Sequence, residues 1–217
     1  MNRLVLYGYW RSSATWRVRI ALNLKGLAHE AVPVHLLRDG GQQNQPAYRA
    51  LSPLGTVPAL QTAAGTFTQS LAIIEYLDET HPLPPLLPPS PGERVRVRAL
   101  AQTVACDIHP VNNLRVLQYL GEHFAATPEQ KEAWIRHWVD AGLLAVERLL
   151  AAHPATGVFC HGDAPTLADC CLAPQVFNAR RFDCPLDAMP TIRRIVDACE
   201  ALPAFRNAAP GMQPDAE

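Results

Sequence analysis

Over roughly the first eighty residues, short apolar runs alternate with stretches of helical spacing; beyond them the spacing is helical alone. Leu4-Val5-Leu6-Tyr7 predicts a strand. Ser12 and Ser13 then offer cap side chains, Trp16, Ile20 and Leu24 recur four residues apart, and Gly26 stops the helix. Ala31 to Val34 predicts a second strand, with Pro33 marking it as an edge. Leu37 to Tyr48 is polar and predicts a loop with a little helix. Val57-Pro58-Ala59-Leu60 and Thr66-Phe67-Thr68 predict a hairpin around Ala64-Gly65, followed by an apolar helix over 71–77. The order βαβ, then ββα, makes a small α/β unit.

The pattern breaks at His81 to Gly92, where HPLPPLLPPSPG holds six prolines. So many missing donors leave nothing regular. The rest predicts an all-helical half. One helical stretch runs from Glu93 to Phe124, interrupted at Pro110. Thr127-Pro128-Glu129-Gln130 is a full helix start, and its helix ends before Pro154. Thr166-Leu167-Ala168-Asp169 is a capping box with Asp in the Glu/Gln place, opening a helix to Arg181. Pro190 to Leu202 predicts the last long helix, and the final ten residues read as loose. This divides the chain into an α/β domain over 1–82, a linker over 83–92 and an all-helical domain over 93–217.

Charge narrows the function classes. A formal net charge of −1 and a pI of about 6.7 give no basic field for nucleic acid. No apolar run reaches the ~18 residues of a spanning helix. The N-terminal run stops at Arg11, too short for a signal peptide. The expectation is a cytoplasmic protein without a membrane partner. The six cysteines form no CxxC pair and read as buried reduced thiols. The eight histidines show no metal-ligand spacing, so no metal site is expected.

Three segments could carry chemistry. In RSSATWRVRIAL, Ser12 and Ser13 stand where a strand ends and a helix begins, a place for an anion and equally a place for a plain cap. Arg17 and Arg19 read as structural or solvent-facing. In TVPAL, a cis Val57–Pro58 bond would open the Val57 backbone to an extended ligand, whereas a trans bond would make Pro58 an ordinary loop proline. Gln69 and Ser70 open a second apolar helix, whose start can hold a carboxylate or simply be capped.

Taken together, in this order, and followed by a proline-rich linker and a helical half, these segments resemble the glutathione transferase family over nearly the whole chain. RSSATWRVRIAL, DGGQQ, TVPAL, QSLAIIEYL, DIHPVNN, GDAPTLADCCLAPQ and ARRF are similar to the zeta class. The resemblance implies a thioredoxin-like N-terminal domain, an all-helical C-terminal domain, glutathione as cofactor and a homodimer. It implies that Val57–Pro58 is cis, with Val57 pairing to the cysteinyl backbone of glutathione. Gln69 and Ser70 then hold the γ-glutamyl carboxylate, Gln43 lies near the glycyl end, and Asn113 belongs to the same cofactor side. Ser12 donates to the glutathione sulfur, with Ser13 beside it. One position departs from the zeta motif: where Ser-Ser-Cys is usual, the third residue is Ala14, which removes any mechanism that uses a protein thiol there.

The chemistry implied is cis–trans isomerisation of a conjugated C=C in a small dicarboxylate. The expected reaction is maleylacetoacetate to fumarylacetoacetate in tyrosine and phenylalanine catabolism. Maleylpyruvate, in gentisate catabolism, is the alternative substrate, and a general glutathione transferase or α-haloacid dehalogenase is a further one. Glutathione serves as nucleophile and is regenerated. A dianion needs cations, and Arg11, Arg115 and Arg181 are the candidates, because a guanidinium pairs bidentately with a carboxylate. His109, where many zeta members have Gln, reads either as a proton donor or as a structural histidine before Pro110.

Overall fold

The computed structural model describes residues 3–217. The chain folds into two units: residues up to Leu86 together with Ala201–Glu217, and Leu87–Glu200. The last stretch, which the sequence pattern places with the helical half, thus belongs to the first unit.

In the first unit, β1 (Val5–Gly8), β2 (Glu30–Pro33), β3 (Ala59–Thr62) and β4 (Gly65–Thr68) form one sheet in the order β2-β1-β3-β4. β1 pairs parallel with β2 and antiparallel with β3, and β3 pairs antiparallel with β4. Pro33 lies on an edge strand, where its missing N–H costs no ladder bond. α1 (Ser13–Leu24) and α3 (Ser70–Thr80) pack on each other. Val18, Ile20, Leu22, Ile73 and Leu77 are fully buried there. Strand side chains alternate between faces. A separate cluster of Val34, Tyr48 and Ala59, with Tyr7, Leu51 and Val57 against it, joins the sheet to α2 (Pro46–Leu51).

Arg17 and Arg19 are buried, at 2 % and 5 % exposure, so of the two readings left open by the sequence the structural one holds. The reason is long-range: Arg19 Nε donates to the Ala208 carbonyl at 3.0 Å and its Nη2 to the Trp10 carbonyl at 2.7 Å. The final residues, read as loose, are tied down, with the Trp10 N–H donating to the Asp215 carboxylate at 3.2 Å and Pro210 buried.

The second unit contains α4 (Pro91–Gln102), a π turn (Thr103–Ile108), a short 3-10 turn (Pro110–Asn112), α5 (Leu114–Phe124), α6 (Pro128–Ala151), α7 (Leu167–Arg181) and α8 (Pro190–Glu200). A short helix, α9 (Pro203–Arg206), belongs to the first unit. α4 starts two residues before the expected Glu93, because the Ser90 side chain caps it and Pro91 fits its first turn. α7 is the buried centre. Its Asp169 carboxylate, fully enclosed, accepts from the N–H groups of Thr166 and Cys160 and from the Thr166 hydroxyl, each at 2.8 Å. Glu147 of α6 does the same for α8, accepting from Thr191 N–H at 3.0 Å and Ile192 N–H at 2.8 Å. Both carboxylates satisfy donors that a helix start leaves open. Five of the cysteines are buried, but Cys106 is exposed on the π turn, against the expectation of six buried thiols.

Candidate functional site

Strand register gathers the candidate segments of the first unit. Tyr7 pairs with Ala59, Ala59 with Thr68, and Gly8 with Pro33. The chain leaving β1 toward Ser12, the chain leaving β2 toward Gln43, the Val57–Pro58 approach to β3 and the exit of β4 to Gln69 therefore share one end of the sheet.

Ser12 is the N-cap of α1. Its Oγ accepts from the Thr15 N–H at 3.2 Å, and its own N–H donates to the Tyr9 carbonyl at 3.0 Å. The cap occupies a lone pair and leaves the hydroxyl proton available to a ligand. Ser13 follows in the first helical turn, half-buried. Arg11 stacks its guanidinium 5.2 Å from the centre of the Trp10 ring.

Gln69 adopts φ +70° at the start of α3, a conformation a side-chain-bearing residue rarely takes. Ser70, 7 % exposed, accepts at Oγ from Arg17 Nη1 at 3.3 Å. That bond links the helix behind Ser12 to the helix start at Ser70. Nothing in the spacing of RSSATWRVRIAL singled out Arg17; only its burial and this contact reveal it. The Arg19 guanidinium is driven down to a pKa of about 10, chiefly by burial, with the Asp215 carboxylate opposing the shift.

Val57–Pro58 is cis, the alternative that the sequence left open. Val57 stands outside the ladder, whose register begins at Ala59. The preceding Thr56 carbonyl is held by the Tyr48 hydroxyl and the Ser52 hydroxyl, both at 2.9 Å. Burial pushes the Tyr48 phenol well up from its ordinary value, so it stays a donor.

Gln43 lies in a loop closed by a reciprocal clasp. His35 N–H donates to Gln42 Oε1 at 2.8 Å, and Gln42 N–H returns to the His35 carbonyl at 2.9 Å. His35 Nδ1 accepts from the N–H groups of Leu37 at 3.1 Å and Arg38 at 2.9 Å, and the ring packs edge-on against Tyr9 at 5.0 Å. The second glycine of DGGQQ is required here. Gly41 has φ +91°, and a Cβ on it would meet the Gln43 side chain at 2.5 Å. Gln43 donates from Nε2 to the Leu36 carbonyl at 3.2 Å, while its buried Oε1 has no hydrogen-bond partner. A buried acceptor left open fits a site built for a donor on a ligand. One end of the sheet thus offers a free hydroxyl proton, an unladdered backbone, two helix starts and an open amide oxygen. Together they suit an extended peptide with a carboxylate at one end and a thiol near Ser12.

The remaining candidates lie in the second unit. His109 follows the π turn, its N–H closing on the Val104 carbonyl at 2.9 Å. Asn113 is the N-cap of α5, accepting from Arg115 N–H at 3.3 Å. Arg115 is exposed in the first turn of α5. Arg181 is exposed at the C-terminal end of α7, its guanidinium 4.9 Å from the Phe182 ring centre. His109, Asn113 and Arg115 therefore share one segment, and Arg181 stands on another helix.

Residues 6–85 match the family model of the glutathione S-transferase N-terminal domain, and residues 128–207 that of the C-terminal domain. A probable maleylacetoacetate isomerase of Vibrio cholerae is 50% identical over 216 residues, covering 100% of both chains. The holo structure of a maleylpyruvate isomerase, described as a bacterial zeta-class glutathione S-transferase, superposes with a TM-score of 0.95 at 50% identity, covering 98% of this chain and 100% of that one. A maleylacetoacetate isomerase of Methylobacterium extorquens AM1, solved with bound malonate and GSH, superposes with a TM-score of 0.94 at 44% identity, covering 98% and 99%.

Proposed function

The chain belongs to the glutathione S-transferase family, in its zeta class, and on that membership we propose a glutathione-dependent cis–trans isomerase that converts maleylacetoacetate to fumarylacetoacetate. The observation that carries this reading is the gathering of Ser12, Gln43, Val57, Gln69 and Ser70 at one end of the sheet, on a chain whose full-length relatives bear isomerase names.

Glutathione, when bound, supplies a thiolate that adds reversibly to the conjugated C=C, so that the bond rotates as a single bond before the thiolate leaves. The chain's own residues do the rest. The Ser12 hydroxyl donates to the sulfur while its lone pair keeps the α1 cap, and the α1 start favours negative charge beside it. Val57 N–H and C=O hold the cysteinyl backbone. Ser70, braced by Arg17, and Gln69 hold the γ-glutamyl carboxylate at the start of α3. Gln43 Oε1 receives the donor it lacks from the glycyl N–H, and Asn113 serves the same cofactor. Arg11, Arg115 and Arg181 hold the two carboxylates of the substrate. Ser13 and His109 supply donors to the carbonyl oxygen where charge develops. The protein works in the cytoplasm as a homodimer.

Maleylpyruvate is the second reading, favoured by a specific observation: a maleylpyruvate isomerase is as similar to this chain, at 50% identity, as a maleylacetoacetate isomerase. The ratio of kcat/KM for the two substrates decides between them. Replacing Arg115 or Arg181 by alanine tests the isomerase against a general transferase. Each replacement lowers isomerisation at least tenfold, the scale of about 1.4 kcal/mol, and leaves conjugation of an uncharged electrophile unchanged. Equal loss of both activities, or loss of neither, overturns the assignment of these arginines to the substrate.

A further inference from the structure

The segment bearing His109, Asn113 and Arg115 owes its direction to a register shift. α4 runs directly into the π turn Thr103–Ile108, in which His109 N–H reaches back five residues to Val104. A π turn carries one residue more than an α turn, and one residue is about 100° of rotation. His109 and the chain beyond it therefore face about 100° away from where an uninterrupted helix would aim them.

α6 holds this shifted register at two points. Ile108, 2 % exposed, occupies the space over Gly142. A Cβ on Gly142 would lie 2.4 Å from Ile108 Cγ1 and 2.6 Å from Cδ1. Two turns earlier on the same helix, Trp134 Nε1 donates to the Val111 carbonyl at 2.9 Å. Within the segment, Asn112 Nδ2 donates to the Ile108 carbonyl at 3.1 Å, while Asn112 Oδ1 is closed to solvent and accepts nothing. A glycine in a helix interior destabilises it relative to alanine. Gly142 stands in the middle of Pro128–Ala151, and the Ile108 side chain is what its missing Cβ accommodates.

We infer that Gly142 and Trp134 are positioning residues for the substrate, with α6 acting as the template that fixes the π register and so aims His109, Asn113 and Arg115. The inference rests on the isomerase reading, and it adds that substrate alignment is set from α6 independently of the glutathione residues on the sheet.

The test is steady-state kinetics of the full chain with maleylacetone, varying substrate and glutathione separately, for Gly142→Ala, Ile108→Ala, their double variant and Trp134→Phe. A misplacement near 1 Å costs up to about 100-fold. Gly142→Ala is therefore expected to lower kcat/KM for maleylacetone by about 10- to 100-fold, with a smaller rise in the KM for glutathione, carried by Asn113 alone. In the Ile108→Ala background, where the nearest remaining atom to the added methyl is Cβ at 3.4 Å, the same substitution costs less than threefold. Trp134→Phe keeps an aromatic side chain, loses the indole donor and shows the same selectivity for substrate, which preserves the test should Gly142→Ala not fold. Wild-type values for Gly142→Ala, a matching rise in the glutathione KM, or an undiminished loss in the Ile108→Ala background overturns the inference alone. A wild-type protein that does not isomerise maleylacetone overturns the isomerase reading and this inference with it.

Discussion

Replacing Ser12 separates the observed from the proposed role of one hydroxyl. Its lone pair caps α1 through the Thr15 N–H, and in the proposed mechanism its proton goes to the glutathione sulfur. Ser12→Ala removes both. Loss of the cap costs about 1 kcal/mol of stability, whereas glycine at the same position costs only a few tenths. Loss of a hydrogen bond to a charged group costs about 1.5–3 kcal/mol. At 1.36 kcal/mol per pKa unit, the thiol of bound glutathione rises by about one to two units toward, or past, its free value near 8.5. Thiolate at pH 7 then falls by up to about 10- to 100-fold, and kcat with it, with activity recovering as pH is raised through the new pKa. Ser12→Ala and Ser12→Gly should share this shift and differ in urea stability, because only the alanine variant loses most of the cap. The assay is a pH titration of bound glutathione by thiolate absorbance, beside urea unfolding of each variant. A bound thiol whose pKa is the same in wild type and both variants refutes the reasoning, and a shift found in Ser13→Ala instead moves the role to the neighbouring hydroxyl.

Two further outcomes follow from the burial pattern. Asp169→Ala leaves two backbone donors and a hydroxyl without their shared acceptor in a fully enclosed site. It should destabilise the protein by about 3–5 kcal/mol, read from urea midpoints, and a loss below about 1 kcal/mol contradicts the geometry. Burial raises the thiols of Cys160, Cys170, Cys184 and Cys199, whereas Cys106 is exposed. A colorimetric thiol reagent should therefore titrate one cysteine per native chain and six after unfolding, a count that Cys106→Ser reduces by one in each state.

What the sequence made legible was local chemistry. The caps at Ser12 and Thr127 and the capping box of Thr166 and Asp169 could be read directly, because each is a side chain bonding backbone a few residues away. The same signal at Ser90-Pro91-Gly92-Glu93 was hidden by the surrounding prolines, and α4 consequently begins earlier than its apolar spacing suggested. Long-range partners escaped the pattern. Arg19 stayed open between a structural and a solvent-facing role because its acceptor, the Ala208 carbonyl, is far away in the chain. The end of the chain looked loose because Asp215 meets Trp10 only in the folded state. The π turn left no trace in composition, since a register shift is decided by what packs on it, here Ile108 against Gly142. For the site, the serine turn, the Val-Pro pair and the Gln-Ser helix start were visible in order, but their convergence at one end of the sheet follows only from strand register.

In the proposed reaction glutathione acts as a regenerated catalyst rather than as a consumed reagent. A proton NMR time course of maleylacetone or maleylpyruvate, with purified protein and sub-stoichiometric glutathione, tests it most directly. The expected result is conversion to the trans isomer only when protein and glutathione are both present, with the glutathione signals intact at the end. Absence of conversion, or steady loss of glutathione into a stable adduct, contradicts the isomerase and favours a conjugating transferase.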